Sequence, residues 1–253
     1  MAYSEKELAL YEKLFSLKTP FDVQAGLNYG SLVCAPAASG SLYERSPSRL
    51  MYVGRDLGGW GEVSGETPAE IAKDVLTDGR KAASDFIDGT DSDYIFHNHS
   101  KFWHLCRALM DLAGEGENWD QRVLWSNVYK LTPQEAPVRT LPFFWDNDVI
   151  AEYFSLCMDI LKAEIDFFRP EHIVFVTGTS HFRPVDLGDS YVPIFSLDND
   201  PHKNAFDVTG KGYYTDSTGR KVKVVFTTRI ELRAGTTEEN AAKIWEAFNT
   251  LQH

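Results

Sequence analysis

The residues best suited to chemistry in this sequence come directly after a short apolar run. Leu50–Val53 is apolar, Gly54-Arg55-Asp56 follows, and three of the four residues at 58–61 are glycines. A strand that ends in this way can deliver a polar side chain to the rim of a sheet. Glycine lets backbone approach a ligand closely, and a lone aspartate there is a candidate general acid or base. The alternative is a glycine-rich turn whose aspartate caps local amides.

Further strand-like runs also end in polar residues. Asn127, His181 and Arg229 each come at the end of such a run or shortly after it, and Tyr129 and Lys130 accompany the asparagine. Because parallel strands end at the same edge of a sheet, we expect these side chains to meet the aspartate there. The sequence therefore predicts a cleft lined by one carboxylate, one amide, hydroxyls and arginines.

Two other patterns suggest different chemistry but lack their usual partners. His97-Asn98-His99 could be a pair of metal ligands, yet no second ligand cluster accompanies it, which favours a loop histidine pair. His181 could act as an acid or base, although no serine or cysteine nucleophile motif accompanies it. The loop at 58–61 fits neither the dinucleotide-binding pattern nor the P-loop. We therefore expect neither a metal nor a cofactor.

The elements that must position these residues are helices and strands in alternation. Capping residues and apolar spacing predict helices at 4–17, from Thr67 onward, at about 101–113, at about 147–168 and at 237–251. Apolar runs predict strands at 50–55, 122–131 (interrupted by Ser126-Asn127), 172–178 and 192–197, and a hairpin at 213–226. The polar stretch 79–100 is predicted to be rich in loops. Helical connections between strands indicate an α/β fold, a three-layer sandwich with a central, mainly parallel sheet flanked by helices.

Length and composition indicate how the chain is organised. The 253 residues contain no repeat, no low-complexity segment and no long linker, which predicts a single α/β domain over 1–253. Within it, residues 1–48 would form an N-terminal helix and an irregular arm packed on the rest. No apolar run approaches the ~20 residues of a membrane span. Cys34, Cys106 and Cys157 are too few and too far apart for a disulfide framework or a metal clamp. We expect a cytoplasmic protein without a membrane partner.

The net charge of −12 bears on the choice of partner. Proteins that bind DNA or RNA usually carry a basic excess, because contacts to phosphates dominate affinity. Binding to DNA would therefore need a local basic rim, and the candidate cations are scattered along the chain. These are Arg55, Lys101, Arg107, Lys130, Arg139, Arg183, Lys203, Arg229 and Arg233.

The order of these motifs resembles that of the uracil-DNA glycosylase superfamily over about residues 49–180. Gly54-Arg55-Asp56-Leu57 resembles the family's first motif, Gly-Gln-Asp-Pro, whose aspartate positions the attacking water. Phe102-Trp103-His104-Leu105 is similar to the Phe-Trp pair of mismatch-specific members, and 124–128 to the segment whose asparagine reads the uracil edge. The stretch 167–178 is similar to the family's long helix, proline and strand closing in glycine.

The resemblance implies an enzyme of DNA base-excision repair that hydrolyses the N-glycosidic bond of a flipped-out nucleotide. It implies that Asp56 orients water and stabilises the sugar cation as it forms. Asn127 would match the donor and acceptor edge of a pyrimidine, and Arg229 would offset charge on the departing base. The aromatic candidates for stacking on the base are Phe102, Trp60 and Tyr129. The further candidates for ligand binding are Gly54, Arg55 and His181.

Other interpretations stay open, and the resemblance is incomplete. Asn127 could satisfy buried backbone, Phe102 and Trp103 could belong to the core, and the strand-end arginine could be solvated. The family's second motif, His-Pro-Ser or Asn-Pro-Ser, is replaced here by Phe-Thr-Thr-Arg-Ile-Glu-Leu at 226–232. Leu57 replaces the proline of the first motif, and the four-cysteine iron–sulfur set of some branches is absent. The rival hypothesis is a non-catalytic protein that binds a nucleobase, a nucleotide or another small ligand on the same fold.

Overall fold

The computed structural model of the protein describes residues 3–17, 32–34, 36–54, 67–89, 101–133, 147–177, 196–197, 208–227 and 235–251. The α-helices of these parts are α1 Glu5–Ser16, α2 Pro68–Asp74, α3 Arg80–Asp88, α4 Lys101–Leu112, α5 Asn147–Phe168 and α6 Thr237–Thr250. The strands are β1 Leu32–Cys34, β2 Ala38–Ser39, β3 Leu50–Gly54, β4 Leu124–Asn127, β5 Leu131–Pro133, β6 His172–Phe175, β7 Ser196–Leu197, β8 Val208–Thr215 and β9 Lys221–Thr227. A π-helical turn, Val75–Gly79, joins α2 to α3. Within these parts no helix has the combination of length and apolar character needed to span a bilayer.

The strands form a mixed sheet, and the fold is α/β. A seven-stranded sheet has the order β2-β4-β3-β6-β9-β8-β7, and β1 pairs with β5 separately. The pairs β3–β4, β3–β6 and β6–β9 are parallel. The pairs β2–β4, β7–β8 and β8–β9 are antiparallel. The predicted parallel arrangement is therefore limited to β4, β3, β6 and β9. The short connection between β8 and β9 can join only antiparallel neighbours.

Each face of the central strands is covered by helices. Side chains alternate along a strand, so Met51 and Val53 lie on one face while Leu50 and Tyr52 lie on the other. The first face packs with apolar residues of α1, α2 and α5. The second face packs with those of α3, α4 and α6. The fully buried run of β3 thus matches a strand covered on both sides.

The predicted helix starts are confirmed at three places, each by a complete capping box. In each box the hydroxyl of the first residue accepts the backbone N–H three residues on, and the glutamate there accepts the N–H of the first residue. The pairs are Ser4 with Glu7, Thr67 with Glu70, and Thr236 with Glu239. The predicted end of α4 near Gly114 is also confirmed, since that glycine has a φ of 77°, in the left-handed region.

Two sequence predictions of secondary structure are wrong. The stretch 79–100 was predicted to be loop-rich, but its described part, 79–89, contains α3, whose Arg80, Ala83 and Ile87 recur at helical spacing and are buried. The arginine conceals this stripe in the sequence, and it can be buried because its Nη2 lies 2.7 Å from the carboxylate of Glu7. The predicted strand 122–131 is instead two strands, and its polar pair at 126–127 belongs to β4 rather than interrupting it.

The turn between β8 and β9 is held by a buried aspartate. Asp216 accepts hydrogen bonds of 2.7–2.9 Å from the N–H and hydroxyl of Thr218 and from the N–H and Nε of Arg220. Burial acts to raise the pKa of Asp216, but these hydrogen bonds outweigh it and lower the pKa from 3.8 to about 2. Arg220 also donates to the carbonyl of Pro170 at 2.6 Å, which ties the turn to the start of β6.

We expect Asp216→Asn to remove a pH-dependent stabilisation of about 2 kcal/mol. Because the folded-state pKa is lowered, the stabilisation is fully present above the unfolded-state pKa and is lost as the pH falls from about 4 toward 2. Urea unfolding of wild type and variant across this range measures the difference. Asp159→Asn is the control, because the ion pair of Asp159 with Lys162 is on the surface. In this variant the free energy of unfolding should depend on pH as it does in wild type. The prediction is contradicted if the free energy of unfolding changes with pH to the same extent in wild type and in Asp216→Asn.

Candidate functional site

Two of the predicted site residues lie side by side at the carboxyl edge of the parallel strands. Gly54 ends β3, Asn127 ends β4, and the two are partners in the parallel register. The backbone N–H of Val128 donates to the carbonyl of Gly54 at 3.0 Å, so the pairing continues to the last residue of each strand. This is the edge at which open α/β sheets bind ligands.

Gly54 allows a close approach between Asn127 and the aromatic ring of Phe102. A Cβ atom built on Gly54 would overlap Asn127 Oδ1 and would lie 3.3 Å from the Cε2 and Cζ atoms of Phe102. The absence of a side chain at this position therefore lets an amide and an aromatic ring share one small space above the strand ends. The sequence predicted all three residues as ligand-binding candidates, and the structure brings them together.

The Asn127 side chain is buried with one polar atom unpaired. The residue is 2% exposed. Its Nδ2 atom has no hydrogen-bond partner among the described residues. An unsatisfied buried donor costs on the order of 1–3 kcal/mol, so such a group in a native protein calls for an explanation. A ligand that offers a carbonyl acceptor would satisfy it. The alternative, that Asn127 satisfies buried backbone, is not supported by a hydrogen bond from Nδ2 to any described backbone group.

Phe102 is placed by its neighbours at the start of α4. The hydroxyl of Tyr52, on the second face of β3, donates to the carbonyl of Phe102 at 2.7 Å. The two rings are tilted by 56° with their centroids 4.5 Å apart. Trp103, by contrast, is 5% exposed and packs edge-on against Trp125 in the core. The structure thus separates the Phe-Trp pair into a partly buried ring at the candidate site and a core residue.

Tyr129, a predicted stacking residue, is 4% exposed, and its ring packs against that of Phe154 in the core. The other predicted site residues lie outside the described residues. They are Arg55, Asp56, Trp60, His181 and Arg229. Their roles stay predictions, as does the expectation that the carboxylate of Asp56 shares one pocket with the amide of Asn127.

A buried cluster next to the site was missed by sequence reasoning. Lys130 Nζ lies 2.6 Å from Glu164 Oε2 and 2.7 Å from Ser126 Oγ, and the serine donates to the same glutamate oxygen at 2.8 Å. The lysine and glutamate side chains are 0% exposed. The prediction that Lys130 faces a cleft or a basic rim is therefore wrong. The sequence of α5 did contain an indication that Glu164 is buried. This glutamate lies among apolar residues, at a position that the helical spacing places on the buried face.

The other carboxylate oxygen of Glu164 extends the cluster toward the N-terminal part of the chain. Glu164 Oε1 accepts the backbone N–H of Ala37 at 3.0 Å and the hydroxyl of Tyr11 at 3.4 Å. Burial, together with the negative charge of Glu164, raises the pKa of Tyr11 well above its usual value, so the hydroxyl stays protonated and can donate. Burial likewise raises the pKa of Cys157 to about 11, which keeps this neighbouring thiol uncharged at neutral pH.

An open groove lies at the opposite edge of the sheet. Its volume is about 690 Å³, and it runs between the end of α4 and α6, past Pro47, Leu112 and Trp245. Leu112 is 53% exposed there. Because Pro47 and Ser48 precede β3, this groove is at the amino edge of the parallel strands and is separate from Gly54 and Asn127.

No known protein-family model matches this sequence, and no curated protein matches it. Short motifs and their order along the chain are therefore what support the resemblance to uracil-DNA glycosylases. The chemistry of the strand-end residues is the remaining guide to function.

Proposed function

We propose that this protein is a uracil-DNA glycosylase-like protein that holds a nucleobase beside Gly54, Phe102 and Asn127. The reaction would be hydrolysis of the N-glycosidic bond of uracil or a damaged base in DNA. The observation that carries the proposal is the buried Asn127 amide, whose Nδ2 has no partner among the described residues. The finer fold assignment, a glycosylase-like three-layer sandwich, is part of the proposal, and so is a cytoplasmic location.

The recognition step follows from the donors and acceptors of an amide. An asparagine offers one carbonyl oxygen and two N–H donors, which complement the alternating carbonyl and N–H groups of a uracil edge. Phe102 lies beside the amide and can present an aromatic face or edge to the base, an interaction that tolerates any base. Desolvation by the surrounding core would strengthen each hydrogen bond to the ligand.

The catalytic step would use residues that follow the strands. Asp56, two residues after Gly54 in the sequence, would orient the attacking water and stabilise the sugar cation. Arg229, two residues after the end of β9, would offset negative charge on the departing base. Arg55, Trp60 and His181 would line the ligand. No metal or cofactor is part of this proposal.

The second candidate function is binding of a nucleobase, a nucleotide or another small ligand without catalysis. The net charge of −12 favours it, because a strongly acidic protein repels the DNA backbone. The burial of Lys130 removes one of the cations that the basic rim would need. The sequence 226–232 also lacks the histidine or asparagine that stabilises the leaving base in the family that this chain resembles.

Release of uracil from DNA tests the proposal. Wild-type protein is expected to leave abasic sites in uracil-containing single- or double-stranded oligonucleotides at low salt. Asp56→Asn is expected to lower the rate by roughly 10²-fold or more, as loss of a general acid or base does. Asn127→Asp should weaken binding of the same DNA, because a carboxylate replaces the amide donor. Asp85→Asn is the matched control, since Asp85 is an exposed residue of α3 paired with Lys81.

The outcomes separate the two candidates. Abasic sites with wild type but not with Asp56→Asn support the glycosylase. Absence of abasic sites, together with binding of free uracil or a nucleotide that Asn127→Asp abolishes, supports the ligand-binding protein. If wild type forms no abasic sites and retains neither DNA nor free base, both proposals are wrong.

A further inference from the structure

One carboxylate oxygen holds both ends of the segment that carries Asn127. Glu164 Oε2 accepts from Ser126 Oγ and from Lys130 Nζ, and the lysine also donates to the serine. These three groups form a closed triangle, which we call the Glu164 triangle. Residues 126–130 are thereby tied to α5 at their first and last positions, and Asn127 lies between the ties.

The sheet supports this segment from one side only, as far as the described residues extend. β2 pairs with β4 at Leu124 and Trp125 and no further. β3 pairs along β4 as far as Asn127. Beyond Trp125, the Glu164 triangle therefore supplies a restraint that the backbone pairing of the described strands lacks. It acts from the face covered by α5, opposite the face on which Asn127 meets Gly54.

We propose that Glu164 is a positioning residue, which acts through Ser126 and Lys130 to set the place of the Asn127 amide. Its role in ligand recognition rests on the function proposed above, whereas the restraint itself does not. Ser126 and Asn127 are consecutive, so their side chains lie on opposite faces of β4. The triangle consequently need not touch a ligand in order to fix the backbone from which the amide projects. A buried polar network whose members are satisfied makes such a structure rigid, whereas apolar packing allows it to shift.

Ser126→Ala is the variant that tests this role with least damage to the fold. It removes the tie at one end of the segment and leaves the Lys130–Glu164 ion pair in place, so no buried charge loses its counter-ion. Ser46→Ala is the matched control. The hydroxyl of Ser46 is also buried and also donates to a buried carboxylate, that of Glu115, at 3.0 Å, but it lies before the amino end of β3.

The first readout needs no ligand. The side-chain amide of Asn127 and the backbone amide of Val128 are followed by NMR in the full-length protein. Ser126→Ala is expected to broaden or double the Asn127 signals and to accelerate exchange of the Val128 amide about tenfold, the effect of one lost hydrogen bond. Ser46→Ala should leave both unchanged. Unaltered Asn127 signals in Ser126→Ala, or equal changes in the two variants, would overturn the proposal.

The second readout is the affinity for a uracil-containing single-stranded oligonucleotide. Ser126→Ala is expected to raise the Kd or KM about tenfold with little change in kcat, since the amide is displaced while Asp56 is untouched. An unchanged Kd and KM beside disturbed Asn127 signals would overturn the role in recognition. If wild type neither binds nor cleaves this DNA while Ser126→Ala still disturbs the Asn127 signals, the proposed function fails and the restraint stands.

Discussion

Replacing Lys130 with methionine is expected to lower the free energy of unfolding by about 3–5 kcal/mol, the usual cost of leaving one member of a buried ion pair alone. Glu164 would keep its hydrogen bonds from Ser126, Ala37 and Tyr11, but its charge would remain in the core without a cation. Urea unfolding followed by tryptophan fluorescence measures the loss.

Three further variants, one of them the single change Glu164→Gln, identify the cause of that loss. Lys6→Met is the matched control, because Lys6 pairs with Asp166 at 3.4 Å while 58% exposed, and surface pairs contribute about 0–1 kcal/mol. The double variant Lys130→Met with Glu164→Gln removes both charges and should cost less than the sum of the single changes by at least about 1 kcal/mol. Additive losses would show that the two side chains do not stabilise each other.

Gly54→Ala is expected to destabilise the protein by about 1–3 kcal/mol, as overpacking of a core does, and to abolish ligand binding at the candidate site. The added methyl group would overlap Asn127 Oδ1 and crowd Phe102. The backbone at Gly54 has little freedom to move, because β3 is paired with β4 as far as Gly54 and with β6 as far as Val53. Urea unfolding and the oligonucleotide assay give the two measurements.

The same substitution at Gly79 provides the control. Gly79 has helical backbone angles, and a Cβ atom there would lie 3.8 Å from the carbonyl oxygen of Asp74, an ordinary van der Waals contact. Gly79→Ala should therefore stabilise the protein by roughly 0.5–1 kcal/mol through its higher helix propensity. If Gly54→Ala is as stable as wild type, or is stabilised like Gly79→Ala, close packing around Gly54 is not the reason for the glycine.

Local signals in the sequence predicted the helices well. The bounds of α5 at 147–168 were predicted as the structure has them, because apolar residues recur along it at helical spacing and Pro170 follows. The capping boxes at Ser4 and Thr67 involve groups three residues apart, so the whole interaction can be read within one turn of chain.

Charged and polar residues at buried positions are where sequence reasoning failed. Arg80 made α3 look like a polar loop, and Ser126 with Asn127 looked like an interruption of a strand. In each case a burial cost had to be offset by a distant partner, which for Arg80 is Glu7, 73 residues away, and for Ser126 is Glu164, 38 residues away. A prediction that places every polar residue on the surface is therefore wrong wherever such a pair allows the residues to be buried.

The sequence by itself determined where the capped helices begin, at Ser4, Thr67 and Thr236, and that the apolar run 50–53 is a strand followed by Gly54. These properties depend on neighbours within a few residues. Tertiary structure alone decided that β3 and β4 are parallel neighbours, so that Gly54 meets Asn127 across a gap of 73 positions. It also decided that Lys130 is a buried partner of Glu164 and not a cleft cation. Register and charge pairing depend on long-range contacts, and those exist only once the sheet has assembled.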